Sequence, residues 1–182
     1  VKPLGPTDLK RLHRSWRRRT EGRIAVLLDG VQNPFNLGAI ARTSAVQRIE
    51  RGWIVGEDVT MQHPKARKLS MGTDRLVPWE HVPTTAAGIA AARAAGFAVV
   101  GVELTGEAKP IFEVDLRRPT CLVVGHEERG LSATALASCD DVVYLPQVGK
   151  VGSLNVATTL GIALYEVRRQ EWAAEPTDAP PH

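Results

Sequence analysis

From residue 24 onward, short apolar runs alternate with longer stretches whose apolar positions recur at helical spacing. Ile24 to Leu28 reads as a buried strand, and after a loop the spacing predicts a helix from about Leu37 to Val46. Gly52 to Val55 predicts another strand, and the polar stretch HPKARKLSMG follows. An alanine-rich helix near Thr85 to Ala95 leads through Gly96 into the strand FAVVGVEL. After a connection rich in charge and proline come the strand Thr120 to Val124, a short helix after Ser132, the strand Val142 to Leu145 and a long final helix. Strands alternating with helices in this way predict an α/β domain with a mostly parallel sheet. The last residues, 171–182, contain Pro176, Pro180 and Pro181 but no lysine or arginine, and are expected to be a disordered tail.

With 182 residues and 43% hydrophobic content, the chain suits one compact domain. Cys121 and Cys139 have neither CxxC nor Cys/His spacing, so no disulfide framework and no metal site is expected. No window approaches a membrane span and no secretion signal opens the chain, which sets the expectation of a cytoplasmic protein. Charge is unevenly placed. Residues 1–23 carry eight lysines and arginines against Asp8 and Glu21, so they hold +6 while the rest of the chain sums to −3. Leu9, Leu12 and Trp16 recur at helical spacing, which predicts a helix that docks one stripe on the body while Arg14, Arg17, Arg18 and Arg19 face outward. A basic arm of this kind suits a phosphate backbone.

Three strand ends carry unusual loops, and open α/β sheets gather ligands at strand ends. In DGVQNPFNLGAIAR, residues 29–42, Pro34 and Gly38 punctuate a turn into a helix, Asn36 falls about where an N-cap belongs, and Arg42 follows six residues later. In VVGHEERGLS, residues 123–132, Gly125 and Gly130 bracket a turn that lets backbone approach a ligand, and Glu127 lies between them. No Lys-Ser/Thr follows and no GxGxxG succeeds the first strand, which disfavours a phosphate loop or a dinucleotide site. In YLPQVGKVGSLN, residues 144–155, Pro146 ends strand pairing, Gly149 and Gly152 allow a sharp return, and Ser153 is placed to open the last helix.

Taken together, NPxNxGAIxR, GxExxGLS and LPxxGxxxSLNVA, in this order, closely resemble the three signature motifs of the SpoU/TrmH branch of the SPOUT RNA methyltransferases, over about Ile24 to Arg168. The resemblance implies a SPOUT fold with a deep C-terminal trefoil knot, a homodimer using the terminal helix, and S-adenosylmethionine as methyl donor, with no metal required. It places Gly125, Leu145, Leu154 and Ser153 against the cofactor, and Asn36, Arg42, Glu127, Ser153 and Asn155 among the catalytic positions. Arg42 is then either the proton acceptor or an electrostatic anchor for phosphate and developing alkoxide, the latter being easier for a group that stays protonated. The sequence departs from the common pattern at Leu145-Pro146-Gln147, His126 and Glu128.

The reaction so implied is 2'-O-methylation of an RNA ribose. The P-Q-x-G form and GVELT at residues 101–105 look most like tRNA guanosine-18 methyltransferases, and a chain with only a basic arm beside the catalytic domain favours tRNA. Ribosomal RNA is the alternative target, and an inactive RNA-binding protein of the same fold is the alternative class. The expected organisation is an arm over residues 1–23, a catalytic domain over 24–170 and the tail.

Overall fold

All six positions of β1 (Ile24–Asp29) and all six of β6 (Thr120–Gly125) are buried. Strands covered on both faces belong at the centre of a parallel sheet. The computed structural model, which describes residues 2–56 and 60–174, places them there side by side. The remaining strands are β2 (Arg51–Val55), β3 (Trp79–Val82), β4 (Ala98–Val102), β5 (Lys109–Pro110) and β7 (Asp141–Tyr144). Their order is β3-β2-β1-β6-β4-β7-β5 and every pairing is parallel. The register runs from Ile24 opposite Thr120 to Asp29 opposite Gly125, so the loops that leave β1 and β6 start as neighbours. This is the expected α/β fold with a parallel sheet, and the strand order is consistent with the SPOUT knot.

Alternation along each strand divides the core in two. Ile24, Val26, Leu28, Leu122 and Val124 pack with α2 (Pro34–Val46), α3 (Pro64–Ser70) and α6 (Val156–Ala173). Ala25, Leu27, Cys121 and Val123 face α4 (Thr85–Ala94) and α5 (Ala133–Ser138). Several expectations shift. The N-cap of α2 is Asn33, whose side chain accepts from Phe35 N, with Pro34 in the first turn, so Asn36 lies inside the helix and is buried. Segments α3 and β3 were not foreseen. The arm forms α1 (Pro6–Arg18), yet none of its residues is buried, and Leu9 and Leu12 stay exposed instead of docking. The final helix runs to Ala173, so Glu171 belongs to it and not to a tail; residues 175–182 of that expected tail lie outside the described residues.

A buried guanidinium fastens the far end of α6. Arg168 is 2% exposed. It donates to the carbonyls of Gly22 at 2.8 Å, Gln47 at 2.8 and 3.1 Å and Arg48 at 3.3 Å, and to Glu171 Oε2 at 2.8 Å. Gln47 is the C-cap of α2, so a cation meets the negative end of that helix dipole while the planar fork occupies otherwise orphaned acceptors. Glu171 Oε1 in turn accepts from the backbone N–H groups of Glu21 and Gly22 at 2.6 Å each. Trp172 donates through Nε1 to Thr20 Oγ1 at 2.9 Å and lies 4.9 Å from the Trp16 ring. Arg168→Met is expected to lower stability by about 3–5 kcal/mol, because it removes the buried charge that pairs Glu171 and answers the carbonyls of Gly22, Gln47 and Arg48. Equilibrium urea unfolding reads the loss, and a variant within 1 kcal/mol of wild type, on the order of a surface change, contradicts it.

Candidate active site

Loops leaving β4, β6 and β7 enclose a cavity of about 300 Å³. Its wall includes Val102, Glu103 and Leu104 after β4, Val124 to Gly130 around β6, and Tyr144, Leu145, Ser153 and Leu154 around the β7–α6 connection. All four positions expected to hold a cofactor, Gly125, Leu145, Ser153 and Leu154, line it, and Glu127 does too. Glycine is obligatory at two points of this wall. A Cβ on Gly125 would stand 2.2 Å from the Gly130 carbonyl carbon, and Gly130 itself has φ +67. Between them the chain closes on itself: His126 N donates to Gly130 O at 3.0 Å and Gly130 N to His126 O at 2.9 Å. His126 Nδ1 accepts from Glu128 N at 3.1 Å, which makes that histidine a turn residue.

Behind the cavity, three side chains join the three motif loops. Asn155 Nδ2 donates to Asn36 Oδ1 at 2.9 Å, and Asn36 Nδ2 donates to Glu127 Oε1 at 2.9 Å. Glu127 also accepts from Asn33 N at 3.0 Å and Gln32 N at 3.4 Å. Burial pushes the Glu127 carboxyl up, but the hydrogen bonds from Asn36 and the backbone amides outweigh it and hold the group below its ordinary value. A carboxylate so occupied is a poor proton acceptor and a good clamp. Asn155 is the N-cap of α6, with Oδ1 accepting from Ala157 N at 2.9 Å and Thr158 N at 3.3 Å. Ser153, expected to open that helix, is exposed at the cavity wall instead. The helix starts three residues later because Asn155 offers its amide to both the helix and Asn36.

Arg42 stands apart from this cluster and from the cavity wall. It is exposed on α2 and donates through Nη1 to Met71 Sδ at 3.0 Å, a weak acceptor that leaves most of the guanidinium available. The arm is farther away. Arg14, Arg17 and Arg18 are exposed, Arg19 lies over the Trp16 ring at 4.9 Å, and Trp16 meets the C-terminal end of α6. The cavity adjoins the opposite end of α6, and an 18-residue helix is about 27 Å long. Sequence reasoning missed Glu103, which accepts from Leu131 N at 3.0 Å on the cavity wall, and Asn33. An acidic residue at the end of an otherwise apolar predicted strand and an Asn-Pro pair before a helix were the available signals. Among the described residues no cluster of His, Cys, Asp or Glu is placed to hold a metal ion, and no helix is long and apolar enough to cross a membrane.

The site is thus a cavity at the strand ends of a parallel α/β sheet, partly lined by backbone and without a phosphate loop. The chain belongs to the SpoU rRNA Methylase family, whose profile matches residues 23–165. It is 33% identical over 159 residues to the 23S rRNA (guanosine-2'-O-)-methyltransferase RlmB of Pseudomonas aeruginosa, covering 86% of this chain and 63% of that protein. It is 29% identical over 170 residues to the tRNA (guanosine(18)-2'-O)-methyltransferase of Escherichia coli, covering 92% and 72%. Among solved structures, the SpoU methyltransferase AviRb from Streptomyces viridochromogenes in complex with AdoMet superposes with a TM-score of 0.76 at 31% identity, over 85% of this chain and 63% of that one. This chain thus spans less than two thirds of the length of the RlmB and AviRb relatives.

The double role of Asn155 makes a sharp prediction. Asn155→Ala removes both the α6 cap and the bond to Asn36, and should lower stability by about 1–2 kcal/mol. An unchanged melting temperature contradicts this.

Proposed function

We propose that this protein is an S-adenosylmethionine-dependent methyltransferase acting on the 2'-hydroxyl of a ribose in RNA. The observation that carries the reading is the cavity whose wall is built from motifs two and three and braced from behind by Asn36, Glu127 and Asn155. Its chemistry suits an adenosine thioether: bare backbone at Gly125 and Gly130, apolar surface at Leu145 and Leu154, and the Glu103 carboxylate at the edge. When bound, that cofactor supplies a methyl group already activated on a sulfonium, so no metal is needed.

The side chains then divide the remaining work. Gly125, Leu145, Ser153 and Leu154 hold the cofactor, while Asn36, Glu127 and Asn155 fix the three loops relative to one another. Arg42 stays protonated and presents its donors to the RNA, where it anchors a phosphate and stabilises charge developing on the ribose oxygen. The clamped Glu127 orients Asn36 and the motif-one turn, and the proton leaves to water or a substrate phosphate. Residues 1–23 act as an RNA-binding arm on a catalytic domain of residues 24–170. A distance of about 27 Å between arm and cavity along α6 suits a folded RNA better than a mononucleotide. The groove between α2 and α6, with Gly161 at its floor and Ile162 and Tyr165 exposed, suits pairing with a second copy.

For the target, the motif-three form and GVELT favour guanosine 18 of tRNA. The second reading is a guanosine of 23S rRNA, favoured by the higher identity to the Pseudomonas enzyme. Length is no guide, because this chain spans only part of the relatives. Incubation with labelled S-adenosylmethionine, unmodified tRNA transcripts and ribosomal RNA should give one ribose-methylated guanosine, and mapping it chooses the target. Absence of label in both RNAs overturns the enzyme reading. In the same assay Arg42→Ala should abolish turnover while S-adenosylhomocysteine affinity stays within about twofold, as expected for a residue outside the cavity; parallel collapse of both refutes the assigned role.

Replacing Arg14, Arg17, Arg18 and Arg19 with alanine should weaken RNA binding and flatten its salt dependence by roughly one unit of log–log slope per lost phosphate contact. An unaltered slope removes the arm from the RNA interface.

A further inference from the structure

Gly38 brings a second surface to the edge of the site. A Cβ there would sit 2.5 Å from the Ala66 carbonyl oxygen and 2.7 Å from Leu69 Cβ, so glycine is what lets α3 lie close against α2. Side chains of α3 and its C-cap then meet the exposed face of α2 at two points. Lys65 Nζ lies 5.7 Å from the centroid of the Phe35 ring, and Met71 Sδ accepts from Arg42. Phe35 and Arg42 are seven residues apart, two turns, and both are exposed on the same side of the helix. The Phe35 ring is 53% exposed, while its backbone N–H is held by Asn33 Oδ1, one residue from the buried Asn36. A mobile platform this is not; its base is the clamp that braces the cavity.

The segment that brings Lys65 to the ring is cationic. Residues 60–76 contain Lys65, Arg67, Lys68 and Arg75 against a single acid, Asp74, which accepts from Ser70 Oγ. None of those four basic side chains forms an ion pair among the described residues. An exposed aromatic ring with Lys65 beside it, on a segment whose cations form no ion pair among the described residues, matches a nucleobase with its flanking phosphate: the ring takes the base and the lysine takes the charge. An acidic protein surface would satisfy the cations and leave the ring unused.

We propose that Phe35 is a stacking platform for an unpaired nucleobase of the RNA, with Lys65 on a flanking phosphate, two helical turns from the Arg42 that meets the reacting ribose. The proposal rests on the RNA methyltransferase reading. It is tested with the full chain and a short unstructured RNA oligonucleotide carrying 2-aminopurine at its centre, whose fluorescence falls on stacking. Wild type and Phe35→Tyr should quench it. Phe35→Leu should lose the quench and bind about 5- to 100-fold more weakly, the range for one lost base–aromatic stack. Lys65→Gln should keep the quench and reduce the log–log salt slope by roughly one. Calorimetric affinity for S-adenosylhomocysteine should be the same in all four proteins, since none of these side chains touches the cavity. Quenching by Phe35→Leu equal to wild type, failure of Phe35→Tyr to preserve it, or no binding of the oligonucleotide by wild type overturns the platform. If wild type stacks the base but does not bind S-adenosylhomocysteine, the platform stands and the methyltransferase reading falls.

Discussion

A buried amide has to have its hydrogen bonds answered, and in this protein Asn36 is answered by residues from two other loops. One side of its amide receives Asn155 and the other gives to Glu127. Because each partner is also bonded to backbone, Asn155 to the start of α6 and Glu127 to the turn before α2, the anchored residue of each loop cannot shift without leaving the buried Asn36 amide short of a partner. The central strands β1 and β6 supply the starting point by ending side by side. What a parallel sheet leaves as three separate returns becomes, through one asparagine, a single wall.

That wall explains how the labour of the site is divided. Against the upward push of burial, the Glu127 carboxyl is held below its ordinary value by donors from Asn36 and the backbone, which makes it a brace between loops and a poor proton acceptor. The guanidinium that does face outward is bound only to a thioether among the described residues, and a thioether gives way easily to a phosphate oxygen. The polar groups that join the loops thus lie behind the cavity, and exposed cations lie on the surfaces of α2 and α1.

The α/β class, the central strands and the three ligand loops were legible in the sequence, since buried parallel strands read as unbroken apolar runs and their loops break sharply. Which residue did what inside each loop was less so. Asn33 and Asn36 are the same residue type three positions apart, and only the fixed φ of Pro34 decides that the former caps and the latter is buried. Ser153 and Asn155 pose the same choice, settled by a contact 119 residues away. The segment HPKARKLSMG gave no apolar periodicity because α3 buries only Ala66 and Ser70, and its helical state owes as much to the space that Gly38 leaves. The burial of Arg168 depends on the carbonyls of Gly22, Gln47 and Arg48, which no local pattern predicts. The apolar stripe of α1 had the right spacing for docking, but only Trp16 meets a partner, Trp172, while Leu9 and Leu12 stay exposed; spacing says nothing about how far the receiving surface extends.

The closed turn at residues 126–130 differs in kind from the connection at 146–155, which shares the same cavity. The first is cross-bonded to itself at both ends and its glycines are wedged against neighbours; the second is exposed along its whole length. A ligand entering between them finds one jaw already ordered and one that still has freedom to lose. The entropic cost of filling the cavity is therefore expected to fall on the stretch from Pro146 to Leu154, up to the anchored Asn155, more than on the motif loop opposite.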